Sequence, residues 1–372
     1  MPGCFEANDL HGNARIVVPL DPSDRANDAV ELAPTSRSKI AQALHAAGLR
    51  EEEARRLAAG SGGRLTALQR LLGASDLPAW TREVPRAPLF AMLLVGQWEP
   101  TNSADRKVVE LLGADASDLD SLCTALQQSA ERPISRKEHA FKWSSPQAIW
   151  RELARGLSDS LLNQFETAVV QVLGTDDPRF ELDPEERFAA ALTGETIPYS
   201  AALRVGLAES LVRLAVSDDE LRKTFGIYKG SRVACGILAR LLRTDWKAWA
   251  SLSDVLPILV EACPSVFLDR LDESLSAGDN GAAHLLVQES SFGGSPHTGL
   301  LWSVEKLAWS DDHVGHVVDV LASLAETDRN NEKASVANRP IASLHNVLHP
   351  RHPQSKTTVE RRLALLENVA RK

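Results

Sequence analysis

The sequence predicts a mainly α-helical protein, and three observations carry that prediction. From Ser36 onward, apolar residues recur at three- and four-residue spacing in segment after segment. Short polar or proline-containing turns join those segments, as stacked helix pairs require. Two stretches depart from the helical period: Ala14 to Leu20 reads as a strand, and Glu131 to Pro146 as a small hairpin.

Taken in order, ARIVVPL at 14–20 is a continuous apolar run after a Gly-Asn turn, the pattern of a strand buried on both faces. The polar, proline-flanked residues that follow form a linker, so that 1–35 is a terminal strand and linker. Within 36–84, Ile40, Leu44 and Leu57, then Leu65, Leu68, Leu71 and Leu72, give three short helices an apolar face each. Gly48 and the run Gly60-Ser61-Gly62-Gly63 punctuate them. Such faces are useful only when the three helices pack together.

The apolar helix PLFAMLLVGQW ends near Gly96, and helical segments follow at Ser103 to Leu112 and at Ser117 to Gln128, the second with Ser117 as its cap. With the two-stranded hairpin after them, these make a winged-helix-like unit at 85–145. Residues 146–372 read as an irregular helical array, with helices such as Asp183 to Leu192, Ser200 to Val216, Trp246 to Leu259 and Thr358 to Ala370. No fixed repeat period is visible.

A chain of 372 residues exceeds one ordinary core, so two or three packed units are expected. A net charge of −9 and a pI near 5.6 argue against a protein built mainly to coat nucleic-acid phosphates. Cys4, Cys123, Cys235 and Cys263 form no C-x-x-C pair, which excludes a zinc ribbon and a dithiol motif. Buried free thiols in a reducing compartment are the expectation. With neither a signal-peptide pattern nor a long apolar run, the chain is expected to be cytoplasmic.

No Walker A sequence occurs, and the glycines near Arg64 and at Gly226 to Gly230 read as turns. His345 and His349, four apart, share a helix face, with His352 close behind; they are the metal candidates. Asn346 occupies the place where a metalloprotease carries its general-base glutamate, and it cannot take a proton from metal-bound water. Ser295 is a plausible helix cap with Pro296 in the first turn, and Ser295 and His297 are poorly spaced for a nucleophile and base. His313 and His316 read as a polar helix edge, and the tryptophan pairs Trp246/Trp249 and Trp302/Trp309 as packing or interface residues. Arg132, Arg136, Lys137 and Lys142 could meet nucleic acid from the hairpin, diluted by Glu131 and Glu138.

The order strand, linker, three helices, winged helix and helical array resembles the downstream half of a STAND-type NTPase, a relative of the AAA+ proteins. Ser61 to Leu68 is similar to the element at the start of the third lid helix, with Leu65 in place of the usual nucleotide-contacting proline. Segments Asp183 to Leu211, Phe292 to Trp309 and Asn338 to Ser355 look like the C-terminal part of large bacterial ATP-binding proteins, some of them of antiphage-defence type. The resemblance implies that 36–84 is a lid and that the P-loop lies upstream. It also implies that ATP or ADP would be held with that missing domain, with Gly62, Gly63, Arg64 and Thr66 as contacts. The function expected is a non-catalytic regulatory and protein-interaction module. Its partners would be a protein or the upstream P-loop domain, or a second copy, with neither membrane nor nucleic acid. A metal-dependent hydrolase and a winged-helix nucleic-acid binder are the alternatives.

Overall fold

A computed structural model describes residues 36–63, 65–72, 80–129, 131–183, 186–218, 221, 228–287, 296–329, 338–351 and 353–371. The strand and linker expected at 1–35, with Cys4, lie outside the described residues, as do Arg64, Ser295 and His352. The described chain is mainly α-helical, with one small sheet.

Helices α1 (Arg37–Ala46), α2 (Glu51–Gly60) and α3 (Leu65–Leu71) form the first unit. Ser36 caps α1 by accepting the Lys39 N–H, and Glu51, Glu52 and Glu53 place negative charge in the first turn of α2. Ile40, Ala58 and Leu68 pack as a core of their own, separate from the main core of the molecule.

The short α4 (Trp80–Glu83) leads to α5 (Arg86–Val95), β1 (Gln97–Trp98), α6 (Ser103–Leu111), α7 (Ala116–Gln128), β2 (Ile134–Lys137) and β3 (Ala140–Trp143). The sheet is antiparallel with strand order β1-β3-β2, so the expected two-stranded hairpin gains a third strand. Two residues carry no readable alternation, which is why β1 is invisible in the sequence. The cap of α7 is Asp115 rather than Ser117: its carboxylate accepts the N–H groups of Ser117 and Asp118 at 2.7 and 3.1 Å. Both bonds go to one oxygen, Oδ1, which satisfies two of the orphan donors at the start of the helix. Helix α5 is buried along nearly its whole length, and the Trp143 indole donates to the Met92 carbonyl at 2.9 Å.

The array begins with α8 (Pro146–Leu153) and a 3-10 turn at Ala154–Gly156, followed by α9 (Asp159–Leu173), α10 (Ala190–Thr193) and α11 (Ala201–Val216). Helix α11 is the spine of the molecule, packing on α5, β1 and α9. A Cβ on Gly206 would lie 2.2 Å from the Val95 carbonyl oxygen, so only glycine lets α11 cross β1 this closely. Two buried polar groups lock the crossing. Asp105, fully buried, accepts the Ser200 N–H at 3.0 Å and the Ser200 hydroxyl at 2.6 Å, tying α6 to the start of α11. Arg204 donates to both carboxylate oxygens of Asp254 and to the Ser251 carbonyl.

Two expected helices are broken. Asp183 to Leu192 becomes a 3-10 turn at Arg187–Ala189 and the single turn of α10, ended by Gly194 in the left-handed region; Leu192 is 90% exposed, so its burial does not help to hold a longer helix. Trp246 to Leu259 becomes α13 (Trp246–Ser251) and α14 (Leu256–Leu259), because Pro257 has no N–H to continue the ladder. They are preceded by α12 (Lys229–Leu241) and followed by α15 (Pro264–Leu275), α16 (His297–Leu307), α17 (Val314–Asp328), α18 (Pro340–Leu348) and α19 (Val359–Arg371). Pro296 occupies the cap position of α16, one residue later than the sequence suggests.

Cys235 of α12 and Cys263, just before α15, form a disulfide with a Cα separation of 5.4 Å, which corrects the expectation of free thiols at these positions. Nothing in a 28-residue spacing announces the pairing; it is set by how α12 packs on α15. Cys123 does remain a buried free thiol, and burial pushes its pKa up to about 12. Among the described residues, no helix is long and apolar enough to cross a membrane.

Candidate functional site

The three-helix unit meets the rest of the molecule along a narrow seam. Ala67 and Leu71 of α3 pack on Ala148 of α8, and the Ser145 hydroxyl donates to the Ser61 carbonyl at 2.6 Å. Burying one leucine and two alanines contributes only about 3–4 kcal/mol. A further tie is Arg151, whose Nη1 donates to the Leu71 carbonyl at 2.7 Å, placing a cation at the C-terminal end of α3.

Beside the seam lies a cleft of about 970 Å³ between α2, α8, α11 and α14. Four arginines line it: Arg56 from α2, Arg151 from α8, Arg155 from the following 3-10 turn and Arg213 from α11. Two carboxylates are present. Glu209 accepts from Arg213 at 3.0 Å, and Glu261 is ion-paired to Lys306. Apolar side chains supply the remaining wall, among them Leu57, Trp150, Val212 and Ile258. Trp150 is 2% exposed, and among the described residues neither its indole N–H nor Nη1 of Arg213, both shielded from solvent, has a hydrogen-bond partner.

The residues singled out from the sequence fall elsewhere. Gly62 and Gly63 form the turn between α2 and α3, both in the left-handed region, with φ of 62° and 83°. A Cβ on Gly62 would sit 2.2 Å from the Ser144 carbonyl oxygen, so the geometry explains this glycine by close packing of the turn on the start of α8. The Gly63 N–H donates to the Ser61 hydroxyl. Thr66 stands in the first turn of α3. Among the described residues, neither Gly62 nor Gly63 belongs to the lining of the cleft.

His345 and His349 lie edge to face at 5.3 Å between ring centroids, and His349 Nδ1 accepts the Arg351 N–H. Among the described residues, no group of three or more His, Cys, Asp or Glu side chains is placed to hold a metal. His297 is fully buried and bonds the Asn338 carbonyl, the position of a core histidine. His316 pairs with Asp272 at 2.6 Å across α17 and α15. Trp249 is buried against Phe267, whereas Trp302 and Trp309 are half exposed.

On the hairpin, Arg132, Arg136 and Lys137 are exposed, and Arg136 stacks over Phe141. The exposed side of α7 carries Asp118 and no cation.

The arginine cleft was missed from the sequence because its cations come from separate elements, and each arginine alone reads as an ordinary solvated charge. No protein-family model matches the chain, nor does any curated protein or solved structure.

Proposed function

We propose that this chain is a non-catalytic regulatory and protein-interaction module. In it the three-helix unit acts as a lid, whose position against the helical array reports the state of a bound ligand. One observation carries the reading: the unit has its own core and is joined to a far larger one through a seam of a few small side chains, beside an open cleft. A body docked this weakly opens well below the free energy of global unfolding. It therefore has two arrangements that a ligand can bias by making different contacts in each.

We read the three-helix unit, the unit that follows it and the array as the lid, winged helix and array of a STAND-type NTPase. In that version ATP or ADP is held jointly with a P-loop domain, and the turn at Gly62 and Gly63, with Arg64 and Thr66, faces the nucleotide. The role itself does not depend on nucleotide. Amide hydrogen exchange tests it. Peptides from α1, α2 and α3 are expected to exchange together and faster than those of α9 and α11, and protection of α1 to α3 equal to that of α11 would overturn the reading.

A further inference from the structure

We propose that the arginine-lined cleft binds an organic phosphate with an apolar body, and that the bound anion bridges the three-helix unit to the array. The bridging role rests on the ligand-responsive module proposed above; the class of ligand is added to it.

Four arginines line a cleft that also carries two carboxylates, in a chain whose net charge is −9. Both carboxylates are already engaged, Glu209 by Arg213 and Glu261 by Lys306, the latter a further cation at the rim. Positive charge is thus concentrated where the average composition would put negative charge. A concave, partly apolar wall focuses that field. Arg56 comes from the three-helix unit and Arg151, Arg155 and Arg213 from the array, so cations of both bodies line one cleft. An anion held there by both sides would bridge them.

Guanidinium groups carry donors and no acceptor, so the complementary ligand is rich in acceptors. A phosphate monoester brings three acceptor oxygens and a charge of about −1.5 to −2, and guanidinium groups bind it through paired hydrogen bonds.

Size and lining define the rest of the ligand. About 970 Å³ is room for a small organic molecule rather than for a lone ion. Leu57, Leu71, Val212 and Ile258 offer an apolar surface on which such a molecule can lie. An extended nucleic acid is disfavoured by the overall negative charge and by the acidic face of α7.

Isothermal titration of the full chain with 1-naphthyl phosphate, 1-naphthol and inorganic phosphate tests the assignment, with amide exchange recorded in the same conditions. Naphthyl phosphate is expected to bind at least about ten-fold tighter than either half alone, more weakly as salt rises. Arg56→Gln and Arg155→Gln are each expected to weaken it about five- to ten-fold. Arg56 is exposed and outside every core, so its variant keeps the fold, which circular dichroism verifies. Arg270→Gln on α15, away from the cleft, is expected to leave affinity unchanged.

Absence of naphthyl phosphate binding would overturn the site, and so would equal weakening by all three variants. Displacement by an oligothymidylate that binds more tightly through the same arginines would make the occupant nucleic acid and overturn it as well. Binding that depends on Arg56 but leaves exchange in α1 to α3 unchanged would keep the site and remove the bridge, and with it the ligand-responsive lid. A failed titration beside fast, concerted exchange of α1 to α3 would remove the ligand alone.

Discussion

The guanidinium of Arg151 donates to the carbonyl of Leu71 at 2.7 Å, joining residues 80 apart in the chain across the seam between α8 and α3. The same side chain lines the cleft. One residue therefore belongs both to the hinge of the three-helix unit and to the wall of its candidate ligand site. A guanidinium has five donors, so it can hold the carbonyl and meet an anion together.

Arg151→Met is expected to weaken the seam by about 1.5–3 kcal/mol, the scale of one charge-assisted hydrogen bond. Because the cation also sits at the end of α3, the effect is local. Amides of α3 should exchange faster while the main melting transition stays in place, as paired exchange and calorimetric measurements on the variant will show.

Gly62→Ala should cost more, about 2–3 kcal/mol, because a side chain in the left-handed region is strained and this one meets backbone. The Ser144 carbonyl oxygen, 2.2 Å from the added Cβ, cannot give way as a side-chain tip would. The expected outcome is undocking of the three-helix unit, read as early protease cleavage within 36–84. Gly48→Ala serves as the comparison. It shares the positive φ but meets nothing within 4 Å, so its effect should be smaller.

Asp105 makes stability depend on pH. Burial pushes its carboxyl above the usual range, opposed by hydrogen bonds from the Ser200 hydroxyl and from the Ser200 and Glu99 N–H groups. With a folded pKa above the unfolded one, the native state binds the proton more tightly. Stability from this group is greatest below the ordinary carboxyl value and declines as pH rises through the folded pKa. Urea melts from pH 3.5 to 6.5 (about the window in which carboxyls titrate) should show the gap between wild type and Asp105→Asn narrowing as pH rises. A gap that stays constant with pH, or widens, would contradict a raised carboxyl at this position.

Reducing the Cys235–Cys263 bond, or replacing both residues by serine, should lower stability. The loop closed has a sequence separation of 28, for which the chain-entropy treatment gives about 3–4 kcal/mol. Thiol labelling of unfolded protein with and without reductant checks the pairing, and denaturant melts check the magnitude.

Much of the helical plan is legible in the sequence, for a physical reason. Helix positions follow from apolar spacing and from local caps, and Ser36, Ser158 and Ser200 each hold the N–H three residues on, as short-range chemistry allows. Where longer-range packing decides, reading fails. The strand at Gln97–Trp98 exists because β3 lies beside it, and the helix expected over Asp183 to Leu192 is broken, with Leu192 left exposed.

The sequence by itself determined that this is a mainly helical chain with its three short helices and hairpin in that order. Only the tertiary structure brought Arg56, Arg151, Arg155 and Arg213 around one cleft, paired Cys235 with Cys263, and pressed Gly62 against Ser144. Local periodicity reports which face of an element is buried. It carries no information on which distant element shares that face, because this is set by the packing of whole helices.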